Sequence, residues 1–300
     1  MKFNHLLKLS SFGLKSVLFR WKKPILGTII ITDYCNLNCK HCVVNNINKV
    51  MHSYAEITHE MENFYAEGIR ILFLSGGETL LWKDGERDVK DLIAKAREIG
   101  FYVVNIVTNG TVHLNLPEAD LVFLSLDGLK EIHNQIRGDV FDTVMDNIRQ
   151  AQGTNICVFT AVNKLNQHEI RGLCELVRTE DNLHSISFNF HTPYRETEHL
   201  CLKPQERVTA VQEIKQLIRE RYPVFNLPST LDLFLANNWK RPCPQCIVSE
   251  NGERYVCGRC SVIPGLCEQC GYLFAAEFST LFSGNIRAIL EMFRIYTRFV

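Results

Sequence analysis

Residues 27–42 read GTIIITDYCNLNCKHC: a β-branched run that ends at an acid and is followed at once by Cys35, Cys39 and Cys42. A short stretch this rich in Ile and Thr fits a strand buried on both faces. Similar runs return at residues 69–75, 101–108, 121–126, 156–162 and 185–190. Helical stretches lie between them. Ser53 and Glu56 make a capping box that opens a helix ending before Gly68. Residues 84–99 carry Glu86–Lys90 and Asp91–Lys95 pairs at i,i+4 and stop at Gly100. Residues 141–152 and 167–180 read as two further helices. Apolar strands alternating with helices predict an α/β fold, a partial (β/α)6 TIM-like barrel whose parallel sheet is covered on its outer face. Chemistry in such barrels sits on the loops after the strands. Those loops are polar here: CNLNCKHC, then Gly76-Gly77-Glu78, then Thr108-Asn109-Gly110, then Ser125-Leu126-Asp127-Gly128. One alone would pass for turn chemistry, but four at one rim predict a site.

The 300 residues suffice to bury roughly 75% of the unfolded surface, so no disulfide staple is required. Lysine and arginine number 33, as do aspartate and glutamate, which argues against a general polyanion binder. Seventeen glycines and nine prolines are too few for a low-complexity chain. The twelve cysteines are clustered. Cys157, Cys174 and Cys201 stand alone and are expected to fill the core as small hydrophobes. Cys243, Cys246, Cys257, Cys260, Cys267 and Cys270 form three successive CxxC pairs. Lysines and arginines interrupt any signal-peptide core before Asp33, and no run reaches the ~18 apolar residues of a spanning helix. A reducing, cytoplasmic location is expected, where such cysteine spacings read as metal sites.

Three thiolates on one loop can ligate three irons of a cubane and leave the fourth without a protein ligand, unlike four-cysteine ferredoxin sites. With the strand before it and ILFLSGGE after it, this loop resembles that of the radical SAM superfamily over about residues 25–195. The resemblance implies a [4Fe–4S] cluster on Cys35, Cys39 and Cys42 and S-adenosylmethionine (SAM) chelated to the open iron. It also implies a reduced flavodoxin or ferredoxin-type electron donor, and a 5′-deoxyadenosyl radical that abstracts hydrogen from a substrate C–H bond. By the same resemblance Gly76, Gly77 and Glu78 hold the methionyl amino group, although Thr79 stands where the family usually has proline. Ser125 and Asp127 resemble the strand-end residues that face SAM. His133-Asn134-Gln135-Ile136-Arg137-Gly138 resembles the H-D-x-x-R-G segment, with Asn134 in place of the aspartate and Arg137 reaching the SAM carboxylate. His41 is expected to pack over the cluster rather than to ligate.

The six tail cysteines suit a zinc ribbon as far as ligand chemistry goes. Attached to such a barrel they resemble SPASM or twitch extensions, which implies an auxiliary [4Fe–4S] cluster, with zinc as the alternative. The organisation expected is an amphipathic basic segment at 1–24, the barrel at 25–195, a helical linker at 196–240 and the cysteine-rich extension at 241–300. Residues 1–21 space Phe3, Leu6, Leu7, Leu9, Phe12, Leu14, Val17, Leu18 and Trp21 helically among lysines. They read either as a cap on the core or as a helix at the inner membrane face. The expected activity is radical modification of a peptide or protein side chain, with an isoprenoid lipid in the membrane as the alternative substrate. A nucleic-acid-binding zinc module lacks the aromatic-interleaved basic groove it would need. A plain electron carrier leaves the GGE segment unexplained.

Overall fold

The computed structural model describes residues 11–15, 17–19, 23–43 and 46–299. Most of the amphipathic segment read at 1–21 therefore lies outside the described residues. Eight strands form one open sheet: β1 (Leu26–Thr32), β2 (Ile71–Gly76), β3 (Val103–Thr108), β4 (Leu121–Ser125), β5 (Ile156–Val162), β6 (Ser185–Phe190), β7 (Cys246–Glu250) and β8 (Glu253–Val256). Their order is β6-β5-β4-β3-β2-β1-β7-β8. All neighbours from β6 to β7 run parallel, and β8 turns back antiparallel on β7. The partial barrel expected from the six apolar runs is present, and the tail extends its sheet by two strands.

The helices are α1 (Tyr54–Glu67), α2 (Val89–Ile99), α3 (Lys130–Arg137), α4 (Phe141–Gln150), α5 (Ile170–Thr179), α6 (Pro204–Arg219), α7 (Pro228–Leu235), α8 (Leu273–Phe282) and α9 (Ile286–Phe299). The Ser53–Glu56 capping box opens α1, and Gly68 closes it at φ 106°, a left-handed value natural to glycine. Helix α2 begins five residues later than its charge pattern predicts. Asp84 is held in a turn by accepting the Tyr54 N–H at 2.7 Å, and Asp88 caps the helix instead. Asp91 closes that second capping box, so it does not pair with Lys95, which bonds Glu98 at 2.8 Å.

Period-two alternation gives the sheet two apolar faces. Leu72, Leu74, Val104, Ile106, Val122 and Leu124 face outward against α1, α2 and α4. Leu26, Phe73, Leu121, Phe123 and Cys157 face inward, where Phe278 of α8 covers them. Phe274 stands 5.4 Å from Phe73 and 4.7 Å from Phe278, so α8 floors the barrel with an aromatic stripe. Each such buried ring contributes roughly 1.5–3 kcal/mol. Cys157 and Cys174 are fully buried, as the core reading expects, while Cys201 is half-buried.

The cysteine-rich segment reaches from one edge of the sheet to the other. It leaves β8 after Val256, and Gly271 then accepts the Phe190 N–H of β6 at 2.7 Å. A Cβ on Gly271 would lie 2.1 Å from the Phe190 carbonyl oxygen, so no larger residue fits this crossing. Residues 257–270 thus strap the open side of the barrel. Below the strap, the N-terminus of α7 is capped from two other helices. Glu277 Oε1 accepts from Leu227 N–H at 2.9 Å and Asn226 Nδ2 at 3.0 Å, and Glu291 accepts from Ser229 N–H at 2.9 Å.

Burial pushes the Glu277 carboxyl from 4.5 up to about 7, against the two hydrogen bonds it accepts and with the help of nearby Glu291. A carboxyl raised in the folded state stabilises most at low pH, and its contribution is lost as pH rises from 4.5 through about 7. The loss amounts to about 3 kcal/mol at pH 8. Both bonds end on one oxygen, so Glu277→Gln keeps them and removes the ionisation. Denaturation at pH 6 and pH 8 is expected to show a smaller fall in stability for this variant than for the parent protein. Equal slopes would refute the assignment.

Candidate active site

β1 runs directly into the Cys35–Cys42 loop, which is fastened at its base and at its tip. Asp33 accepts the N–H groups of Asn48 and Val50, both at 2.5 Å. Asn46, at φ 55°, clasps Cys35 by accepting its N–H at 3.1 Å and donating to its carbonyl at 3.0 Å. Lys40 N–H donates to the Ile136 carbonyl at 3.0 Å, which docks the loop on the end of α3. Neither Asp33 nor Asn46 belongs to a pattern that sequence reasoning could single out.

The two glycines of Gly76-Gly77-Glu78 are required by the loop itself. A Cβ on Gly76 would lie 2.2 Å from the Thr32 carbonyl oxygen, and one on Gly77 2.3 Å from that of Tyr34. The close approach is used by Gly77 N–H and Glu78 N–H, which donate to those same carbonyls at 2.8 Å each. Glu78 is fully buried and joins β2 to β3: its carboxylate accepts from Leu80 N–H at 2.9 Å, Thr108 Oγ1 at 2.6 Å and Asn109 N–H at 2.6 Å. Burial raises its pKa in spite of these donors. Asn109, part of a polar strand end, donates to Cys35 Sγ at 3.7 Å and to Asn36 Oδ1 at 2.9 Å.

Asp127 and Arg137 meet behind the loop. Arg137 Nε donates to Asp127 Oδ2 at 2.6 Å, and its Nη1 donates to Cys39 Sγ at 3.7 Å. Asp127 also accepts the Ala161 N–H at 2.9 Å. Burial opposes the Asp127 charge, and Arg137, His41 and Ala161 outweigh it, so the carboxyl stays below its usual range. His41 Nε2 lies 3.6 Å from Asp127 Oδ2, and burial lowers its pKa to about 4, so this histidine is neutral. It packs against the Asp127–Arg137 ion pair. Asn134 Oδ1 accepts from the Val140 and Phe141 N–H groups at 3.2 and 2.9 Å, and its Nδ2 donates to Asp139 Oδ1 at 2.6 Å, a bond that an aspartate could not make. Ser125 ends β4 on the same face as Phe123, toward the barrel interior.

The tail brings its cysteines together beneath the strap. Cys243 and Cys246 sulfurs are 3.4 Å apart, and Cys257 N–H donates to the Cys246 carbonyl at 2.8 Å. A Cys270 hydrogen bond, against burial and with a Tyr194 bond, lowers the Cys260 thiol to about 7. Arg259 joins tail to loop by donating to Glu250 Oε1 at 3.3 Å and to the Val43 carbonyl at 3.0 Å. Between the strap and the inner face of the sheet lies a cavity of about 370 Å³. Its walls include Phe73, Phe123, Phe159 and Phe274, with Ser75 toward the rim and Cys246, Cys257, Cys260 and Cys270 along the strap.

All twelve cysteines are free thiols. Among the described residues, no three ligand-type side chains yet converge on a common metal-binding point. The donor set nonetheless suits iron. Burial pushes the Cys39 thiol up to about 11, Cys42 and Cys35 add to the rise, and burial likewise raises Cys35. Two such thiols on one loop ionise together only beside a strong positive charge, which a bound metal supplies. Donors from Leu37 N–H at 3.4 Å, Asn109 and Arg137 already point at the sulfurs.

Residues 29–177 match the family model of the radical SAM superfamily. The chain belongs to the radical SAM superfamily. Enzymes of this family use a [4Fe–4S] cluster and SAM. The chain is 29% identical over 169 residues to the sporulation killing factor maturation protein SkfB of Bacillus subtilis, covering 51% of this chain and 39% of that protein. It is 33% identical over 159 residues to the GTP 3′,8-cyclase of Limosilactobacillus fermentum, covering 48% and 45%. The chain thus spans less than half the length of these two relatives. The structure of Streptococcus suis SuiB bound to precursor peptide SuiA superposes with a TM-score of 0.65 at 15% identity, over 95% of this chain and 70% of that one. This radical SAM protein therefore shares its fold across the tail as well as the barrel.

Proposed function

We propose that this radical SAM enzyme modifies a C–H bond in a side chain of a peptide or protein. In this reading Cys35, Cys39 and Cys42 hold the catalytic cluster. Gly76, Gly77, Glu78, Ser125, Asp127 and Arg137 form the rim that binds SAM, and the six tail cysteines hold an auxiliary cluster. When bound, the cluster and SAM supply one-electron cleavage of a C–S bond and a carbon radical that takes hydrogen from the substrate. The chain's own part is to orient the loop, through Asn46, Asn109 and Arg137, and to keep water from the reacting atoms beneath the strap. A reduced flavodoxin or ferredoxin is the donor we assign.

The observation that carries the substrate class is the cavity. Apart from the strap cysteines its wall is mostly aromatic and aliphatic, and among the described residues the charged ones that line it are Glu250 and Arg259, which pair with each other. That lining suits an uncharged side chain and offers no set of cations for a triphosphate such as GTP. The peptide named with SuiB and the maturation role named for SkfB support the same class. Anaerobically reconstituted protein with dithionite and SAM is expected to release 5′-deoxyadenosine. Peptides carrying apolar side chains are expected to raise the yield and lose hydrogen or gain mass. No 5′-deoxyadenosine under these conditions would defeat the enzymatic reading. Conversion of a polyprenyl lipid or GTP instead of peptide would defeat the substrate class alone.

A further inference from the structure

Two neighbouring segments turn apolar side chains to solvent where a fully packed fold presents polar ones. On α9, Ile286, Leu290 and Phe293 are 74%, 55% and 54% exposed. Their i, i+4, i+7 spacing puts them on one face. The opposite face is used by the fold, since Ala288 is fully buried and Glu291 turns inward to cap α7 at Ser229. Residues 11–19, helical over most of their described length, add Leu14, Leu18 and Phe19, each at least 60% exposed. The segments touch one another. Phe12 sets its ring 5.6 Å from Phe282, and a Cβ on Gly284 would lie 2.9 Å from Val17. Phe12 and Val17 thus fasten the N-terminal segment to the α8–α9 corner, next to the start of α9.

The exposed charges of the two segments are cationic. Lys15, Arg287 and Arg294 are exposed on them, Arg287 also pairing with Glu291 at 3.0 Å. Residues 11–19 contain no acid, and the single acid of α9 is the inward-turned Glu291. The sequence before Asp33 holds lysines and arginines and no acid at all. A large exposed apolar patch rimmed by cations marks an interaction site. A second copy of the chain would set these like charges against each other, whereas acidic headgroups over an acyl boundary complement both features.

We infer that residues 11–19 and the outer face of α9 together seat the protein on the surface of an anionic phospholipid bilayer. Among the described residues no helix is long and apolar enough to cross a membrane, so the contact is interfacial. This inference concerns where the enzyme works and stands apart from the substrate class. The test is sedimentation of the full chain with vesicles containing about one part phosphatidylglycerol to three of phosphatidylcholine. Binding is expected with these vesicles, weakening as salt is raised, and little binding with phosphatidylcholine alone. Leu290→Glu with Phe293→Glu, and separately Leu14→Glu with Leu18→Glu, are expected to reduce partitioning roughly tenfold or more. These side chains are exposed, so the thermal midpoint should not move and loss of folding is excluded as the cause. Equal binding to neutral and anionic vesicles would overturn the inference, as would variants that bind like the parent. So would a dimer that either double variant dissociates without any binding to vesicles.

Discussion

Arg137→Ala is expected to destabilise the protein by about 3–5 kcal/mol, because it leaves a buried carboxylate without its counter-charge. The Asp127 side chain is 0% and that of Arg137 9% exposed, so water does not replace the lost partner. His41, at 3.6 Å, is held neutral in the parent protein, where burial and Arg137 lower its pKa to about 4. The pH dependence should reverse. In the parent protein the depressed Asp127 pKa stabilises above the ordinary carboxylate value and is lost on acidification; in Arg137→Ala the carboxyl is raised, so stability falls as pH increases. Adding Asp127→Asn should recover part of the loss, the signature of an uncompensated charge rather than a cavity. Denaturant unfolding of the two single variants and the double variant measures this. An Arg137→Ala protein as stable as its parent would show that water reaches the pair.

Much of this arrangement is legible in the sequence because strong local patterns agree with the fold. The runs at 156–162 and 185–190 are the observed strands β5 and β6 residue for residue. The Ser53 capping box opens α1 where its spacing puts it. The β7–β8 hairpin is legible at Asn251-Gly252, which resembles the hairpin before a ligand cysteine in SPASM or twitch extensions and whose φ values of 51° and 79° form the left-handed pair that favours Asn-Gly. CIVSE itself is short, and pairing with β1, from Leu26 opposite Cys246 onward, makes it a strand. The glycines of Gly76-Gly77-Glu78 permit a close approach of backbone. What approaches is the chain's own backbone at Thr32 and Tyr34. Asp33 and Asn46 are single polar residues whose work depends on partners distant in sequence, so no periodicity or spacing exposes them, whereas Asn109 belongs to one of the polar strand ends.

The triple variant Cys35→Ala, Cys39→Ala, Cys42→Ala is expected to bring 5′-deoxyadenosine formation to background and to remove about four irons, one cubane. What remains bound tests the tail. About four irons should persist if the six remaining tail thiols hold one auxiliary cluster, and none should persist if they hold zinc. The geometry favours a shared site over isolated core cysteines. Cys243, Cys246 and Cys257 are joined by a 3.4 Å sulfur contact and a 2.8 Å backbone bond, while burial pushes Cys257 up to about 12 and Cys243, Cys260 and Cys267 act on it. Metal binding takes the thiolate form, and Cys246, Cys257, Cys260 and Cys270 line one cavity together. Cys257→Ala should therefore remove the tail metal while leaving the loop cluster and basal 5′-deoxyadenosine release in place. If Cys257→Ala instead abolished that release with the loop irons intact, the tail site would be needed for SAM cleavage itself and the division of labour between the two cysteine groups would be wrong.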